Sequence, residues 1–220
     1  MKLYHGSEYI IENPEYHKGK RNNDYGYGFY CTEHIDVAKE WSVGLTHDGY
    51  VNTYELDDSD LTLLNLNDYC ILTWLTILID NRTFKVNTPL AREAVNYLKK
   101  EFSINYEKYD LIKGYRADDS YFAFANDFIN GNISFSQLSD AMHLGDLGNQ
   151  IVLYSQKSYK KIKWIESESV KKEIWYPKRQ KRNDQAKKAY FSLDRKYIKE
   201  DLYITRIIDE EIKKDDVRIQ

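Results

Sequence analysis

Leu3-Tyr4-His5-Gly6-Ser7 and Asp24-Tyr25-Gly26-Tyr27-Gly28-Phe29-Tyr30-Cys31-Thr32 are the two runs from which the rest of the chain is read. In the first, a histidine ends a β-type run, and the glycine behind it lets a ligand approach the backbone. In the second, a glycine-rich turn leads into a short aromatic strand that delivers a tyrosine. Either run alone says little. In this order, about one hairpin apart, they set a polar His–Gly edge before an aromatic platform, which suits a flat, amide-bearing ring.

Outward from these runs, residues 1–5 and 27–32 read as strands, separated by a polar loop from Glu15 to Asp24. Asp36 is placed to cap a short helix through Trp41, with Ile35, Ala38 and Trp41 on one side. Tyr50 to Leu56 alternates as a strand, and Asn67 or Asp68 caps a buried helix through Ile79. Thr88-Pro89 starts a helix whose Ala91, Ala94, Val95, Leu98 and Phe102 make one apolar stripe. Tyr109 to Lys113 reads as a strand, Tyr121 to Ile129 as a helix stopped near Gly131, and Ser134 or Ser136 as the start of another that ends by Gly145. Gln150 to Tyr154 and Ile162 to Ile165 are further strands. After Pro177 the pattern is helical and charged, with Ala189, Leu193, Tyr197, Ile208 and Ile212 on its inner face. Strands and helices mix without regular βαβ alternation, which predicts an α+β fold.

The 220 residues, 42% of them hydrophobic and 20 of them tyrosine, suffice for one large domain with a real core. Cys31 and Cys70 are too few and too far apart for a disulfide scaffold and point to a reduced compartment. No cationic-then-apolar leader is visible at the N-terminus, and the apolar run Tyr69 to Ile79 is too short for a bilayer, so the expectation is a soluble, cytoplasmic protein with no membrane partner. Export as an effector without a cleaved signal would leave the same pattern. The net charge of −3 hides an asymmetry: residues 1–156 carry 13 basic against 23 acidic residues, and residues 157–196 carry 14 against 5. Such a block is either a solvated helix face or a surface for an acidic partner or nucleic acid, though no recognised nucleic-acid motif accompanies it.

Other chemistry finds no footing. No Gly-x-Gly-x-x-Gly or Walker loop is present, and His17, His34, His47 and His143 lack zinc spacing, so no metal site is expected. Cys31 has no identifiable base partner and is rejected as a nucleophile.

Taken together, His5-Gly6-Ser7, Gly28-Phe29-Tyr30-x-Thr32 and Asn149-Gln150-Ile151-Val152 resemble the three-part active site of the ADP-ribosyltransferase superfamily. More closely, residues 2–165 resemble the bacterial family DUF3990, grouped with those transferases, with Gly114-Tyr115-Arg116-Ala117-Asp118-Asp119-Ser120 inside the likeness. The resemblance implies a split β-sheet core over residues 1–165 with flanking helices, followed by a charged, mainly helical extension over 166–220. It implies NAD as co-substrate. His5 would bond a ribose hydroxyl, Gly6 would hold the nicotinamide carboxamide through its backbone, and Ser7 would support that edge. Tyr30 would stack on the nicotinamide ring between Phe29 and Thr32, which belong to the same NAD-binding set, and Gln150 would meet a ribose 2′-hydroxyl.

Gln150 departs from the glutamate that many active members carry. A neutral amide can accept the hydroxyl bond but offers no charge to the ribose, a loss worth on the order of 10²–10³ in rate. Asp119 as a catalytic carboxylate and Asp118 as a binding one are the outside candidates. Each residue also has a plainer use: His5 bonded to a neighbouring carbonyl, Tyr30 in the core, Asp118 and Asp119 as helix caps, Gln150 on an edge facing solvent. The resemblance implies a mono-ADP-ribosyltransferase acting on a macromolecule, with a toxin or defence role. Protein is preferred over nucleic acid as acceptor, and the loop Glu15–Asp24 and stretch Lys157–Lys196 are the acceptor-facing surfaces. A neutralising or regulatory partner protein is left open. The rival is a catalytically silent module that binds NAD or a partner; Gln150→Glu would accelerate a slow enzyme and leave a silent module inert.

Overall fold

A computed structural model describes residues 1–117, 119–144, 148–192 and 197–220; the side chains of Asp119 and Ser120 lie outside that description. In chain order its elements are β1 (Lys2–Ser7), β2 (Phe29–Cys31), α1 (Ile35–Ser42), β3 (Gly49–Leu56), β4 (Leu63–Asn65), α2 (Ile71–Asn81), α3 (Pro89–Glu101), β5 (Leu111–Tyr115), α4 (Asp119–Ile129), α5 (Phe135–Met142), β6 (Asn149–Leu153), α6 (Gln156–Lys161), β7 (Ile162–Val170), α7 (Lys172–Ser192) and α8 (Ile204–Asp209). The α+β class expected from the sequence is the one observed. One antiparallel sheet runs β1-β3-β7. The other runs β2-β6-β5-β4, with only the β4–β5 pair parallel. They are joined by an isolated bridge, where Tyr4 and Thr32 exchange both backbone hydrogen bonds at 2.9 Å.

Local chemistry accounts for most of these elements. Thr88 Oγ1 accepts from the Ala91 amide and Pro89 fills the first turn of α3, whose Ala91, Ala94 and Leu98 are buried. Ser134 and Gln137 close a capping box on α5. Apolar nearly all round, α2 is buried from Ile71 to Ile79. It begins later than expected, because Asn67 and Asp68 belong to a separate 3-10 turn capped by Asn65, and Cys70 Sγ caps the helix. Asp36 lies inside the first turn of α1, with His34 at the cap position.

The helices α2, α3, α4, α5 and α8 pack with the second sheet into the main core, around Trp74, Phe102, Phe124, Phe128 and Ile112. Leu3, Phe29, Tyr54, Ile151 and Leu153 fill the space between the sheets. The first sheet is covered by α1 and the start of α7, through Ala38, Val43, Val51 and Val170 with Trp175 and Tyr176.

The C-terminal quarter is bound into this body. The β7 strand continues past Ile165 to Val170, and α7 starts at Lys172 with Pro177 inside it. Leu202, Ile204, Ile207, Ile212 and Ile219 belong to the main core. On α7 the buried residues are Ala186 and Tyr190; Tyr197 is 73% exposed, and Leu193 lies outside the described residues. The basic stretch is partly neutralised by acidic neighbours: Lys157 and Lys161 pair with Asp60, Lys171 with Asp48, and Arg182 with Glu40. No described helix is long and apolar enough to cross a membrane.

Candidate functional site

Beyond the Tyr4–Thr32 bridge, β1 and β2 part and a cleft of about 380 Å³ opens between them, within the range of small-molecule sites. Tyr4 commits both backbone groups to Thr32. The alternation of an antiparallel ladder therefore aims those of Gly6, two residues on, off the same edge. A continuing ladder would pair Gly6 with Tyr30. Instead the Tyr30 carbonyl accepts a hydrogen bond from His5 Nδ1 at 2.7 Å. His5 is the wedge that splits the sheets, and it leaves the Gly6 N–H and C=O open to the cleft among the described residues.

A carbonyl only accepts, so Nδ1 carries the imidazole proton. Burial holds the His5 pKa below its ordinary value, the Tyr30 carbonyl opposes this in part, and the Arg116 charge adds to it. The ring is neutral, and Nε2 is a hydrogen-bond acceptor. Phe29 stacks on it with centroids 4.4 Å apart. The plainer use of His5, a bond to a neighbouring carbonyl, thus occupies Nδ1 and leaves Nε2 bare.

The side-chain position of Gly6 is claimed by α1, not by a ligand. A Cβ there would stand 2.0 Å from the Ala38 carbonyl oxygen and 2.8 Å from the Ser42 nitrogen. Opposite, Tyr30 is pinned by its hydroxyl, which donates to the Gly26 carbonyl at 2.7 Å and accepts from the Tyr25 amide at 3.1 Å. Gly26 takes φ +72 in that turn, a conformation glycine adopts without strain. Burial raises the Tyr30 pKa far above its ordinary value, so the ring serves as a surface and not as an acid.

At the floor of the cleft, Gln150 is 3% exposed, not on a solvent-facing edge. Its Nε2 donates to Asp24 Oδ2 at 2.9 Å and to the Tyr115 carbonyl at 3.1 Å. Asp24, 6% exposed, also accepts from the Ala117 amide at 2.8 Å and from Arg82 Nη1 at 2.9 Å. Burial raises its pKa, while the Ala117 amide, Gln150, Arg82 and Arg116 pull it back down. On the walls Lys18 pairs with Glu15 and Arg82 with Asp24, and Arg116 lies over the Trp41 ring at 4.9 Å.

Of the residues expected from the sequence, His5, Gly6, Phe29, Tyr30, Thr32 and Gln150 meet in this one cleft. Ser7 does not line it; its hydroxyl is engaged in the adjoining turn, accepting from the Tyr9 amide at 3.1 Å. Asp118 and the Asp119 side chain lie outside the described residues. Cys31 lines the cleft but is buried, with a thiol raised far above its ordinary pKa, and offers no nucleophile. Asp24, Arg82, Arg116 and Trp41 also line the cleft, and none of them is among the site residues expected from the sequence. For Asp24 the signal was available: an aspartate opening a glycine-rich turn with no helix to cap.

Residues 1–164 match the family described as a protein of unknown function, DUF3990. The chain belongs to the DUF3990 family. No curated protein and no solved structure matches it. Every residue lining the cleft falls inside the DUF3990 match, whereas α7 and α8 follow it.

Proposed function

We propose that this DUF3990 protein is an NAD-dependent mono-ADP-ribosyltransferase built on a split sheet of the ADP-ribosyltransferase kind. One observation carries the reading: Gly6, whose N–H and C=O take no hydrogen bond on this edge among the described residues, lines the same cleft as the pinned Tyr30 ring. A carboxamide has one acceptor oxygen and one donor nitrogen, and the Gly6 edge offers the matching donor and acceptor. The Tyr30 ring supplies a flat apolar face beside them. His5 Nε2 is an acceptor for a ribose hydroxyl, and Gln150 Oε1 is another.

When bound, NAD supplies a C1′–N glycosidic bond that breaks with its electron pair on nicotinamide, while C1′ bonds to an acceptor nucleophile whose proton passes to solvent. The residues of the cleft hold the leaving ring by its amide, exclude water from its face, and set acceptor oxygens where positive charge grows. The acceptor is a macromolecule, with protein preferred. A silent NAD- or partner-binding module is the second reading, favoured by the neutral Gln150 amide.

The test is turnover of labelled NAD by the purified protein, with His5→Ala and Tyr30→Ala alongside. Label on a macromolecule, lost in both variants, supports the transferase. NAD binding by calorimetry without turnover selects the silent module, and neither binding nor turnover sinks both readings.

A further inference from the structure

We propose that Asp24 is the positioning residue of this cleft: it turns the Gln150 carboxamide so that Oε1 faces the bound ribose, and it lends that oxygen charge. The pair thereby does together what one glutamate at position 150 would do alone. The inference rests on the NAD reading above.

The orientation of Gln150 follows from its partners. Asp24 Oδ2 and the Tyr115 carbonyl, at 2.9 Å and 3.1 Å, can only accept, so both must face the NH₂ side of the amide. The Tyr25 hydroxyl, committed as a donor to the Tyr115 carbonyl at 2.7 Å, also stands against the NH₂ side, and Oε1 takes none of these bonds, at a side chain that lines the cleft. Asp24 is itself fixed from three elements, by Gln150 at the head of β6, by the Ala117 amide after β5 and by Arg82 after α2. A carboxylate that accepts from an amide N–H polarises it, and the carbonyl end becomes the better acceptor. That is the property a neutral residue needs where positive charge develops.

The groups facing Asp24 are the Arg82 and Arg116 cations and the neutral Tyr25 and Tyr30 phenols, with His5, Lys18 and Glu15 elsewhere on the cleft wall. Burial outweighs its stabilising partners, so Asp24 takes up a proton above the ordinary aspartate range. Protonation removes the charge that Gln150 relays.

The experiment uses the full chain, ¹⁵N-labelled, as wild type, Asp24→Asn and the exchange Asp24→Asn with Gln150→Glu. The Gln150 side-chain amide resonance is followed against pH, and nicotinamide release gives kcat and KM. Expected is a Gln150 resonance that titrates in the wild type with a midpoint above about 3.9 and is pH-invariant in Asp24→Asn. The wild-type kcat falls on acidification both through Asp24 and through protonation of His5 Nε2, and only the Asp24 step is absent from Asp24→Asn. In Asp24→Asn, kcat drops on the order of 10²-fold with KM little changed, and the exchange variant recovers at least about tenfold.

A pH-invariant Gln150 in the wild type overturns the proposal, as does a folded Asp24→Asn with undiminished kcat, or an exchange variant with no recovery. Should Asp24→Asn fail to fold, the wild-type titration decides, because a Gln150 resonance that does not follow pH overturns it equally. A wild type that neither binds NAD nor releases nicotinamide removes the NAD reading and this inference with it. Turnover that ignores Asp24 removes this inference alone.

Discussion

Gln150→Glu tests the site without reference to any ligand. The substitution would set a carboxylate oxygen where Nε2 now stands, 2.9 Å from Asp24 Oδ2, between side chains only 3% and 6% exposed. Two like charges at that distance repel by about 6 kcal/mol in an effective dielectric of about 20, equivalent to a pKa rise of about 4 units. The folded pair escapes this by holding one proton that belongs to both groups. Its folded pKa is then raised above the unfolded glutamate value of about 4.3, so stability is fully present below that pH and lost as pH rises through the folded pKa. Across about pH 5 to pH 7 the variant loses about 1.4 kcal/mol per unit, or roughly 3 kcal/mol, relative to wild type. For a chain of this size that is a fall in Tm of about 6–12 °C. The assay is thermal or urea unfolding of both proteins at matched pH, which cancels the opposite trend from the lowered His5 pKa common to both. A Gln150→Glu protein whose stability difference from wild type is flat with pH would refute the Asp24–Gln150 contact. It follows that Gln150→Glu is no simple gain of charge, and the expectation that it alone accelerates a slow enzyme has to be replaced by the exchange with Asp24→Asn.

Gly6→Ala drives a Cβ to 2.0 Å from the Ala38 carbonyl oxygen, a backbone atom, so α1 must lift off β1. A loss of about 1–3 kcal/mol in chemical denaturation is expected, and wild-type stability would mean that α1 is not seated there. Deleting residues 201–220 removes Leu202, Ile204, Ile207, Ile212 and Ile219 from the core, each worth about 1.5–3 kcal/mol, together comparable with the whole stability of a domain. The truncated chain is expected to show no cooperative melt, and a sharp one would contradict the packing of the C-terminal segment. For His5, ¹⁵N chemical shifts at neutral pH are expected to report a proton on Nδ1 and a bare Nε2; the opposite tautomer would contradict the bond to the Tyr30 carbonyl.

What could be read from the sequence was what neighbours in the chain decide. The Thr88-Pro89 start, the Ser134 cap and the strand over 50–56 are local signals, and all three are present. What could not be read depends on distant partners. The three residues of β4 become a strand only through parallel pairing with Leu111–Lys113. The extension of β7 to Val170 was hidden by an alternating Glu166-Ser167-Glu168-Ser169, legible only once β3 is known to lie beside it. Pro177 suggested a helix start, but packing of Trp175 and Tyr176 on the first sheet carries α7 back to Lys172. In the cleft, His5, Tyr30 and Gln150 were legible as a motif. Asp24 was marked only as an aspartate with no helix to cap; its place in the cleft was not legible, since its partners Arg82, Ala117 and Gln150 lie 58, 93 and 126 residues away.

Each cleft group that faces a ligand in the proposed reaction is held by a bond in which the ligand has no part. His5 is fixed by the Tyr30 carbonyl, Tyr30 by the turn at Tyr25 and Gly26, Gln150 by Asp24 and Tyr115, and Gly6 by α1 behind it. The cost of ordering these groups is met in folding, which leaves binding free energy for the reacting centre. The segment over the cleft is built differently. Its entry is fastened by Asn52, which accepts from the Ile11 amide at 2.9 Å and donates to the Tyr9 carbonyl at 3.1 Å, and its exit by Asp24. Between these anchors Ile11, Pro14, Glu15, Lys18 and Gly19 reach the cleft, while most residues from Glu12 to Asn22 are exposed. Substitutions at Glu15 or Lys18 therefore change what the cleft accepts with little effect on folding, whereas substitutions at Asp24 or Gly6 disturb both.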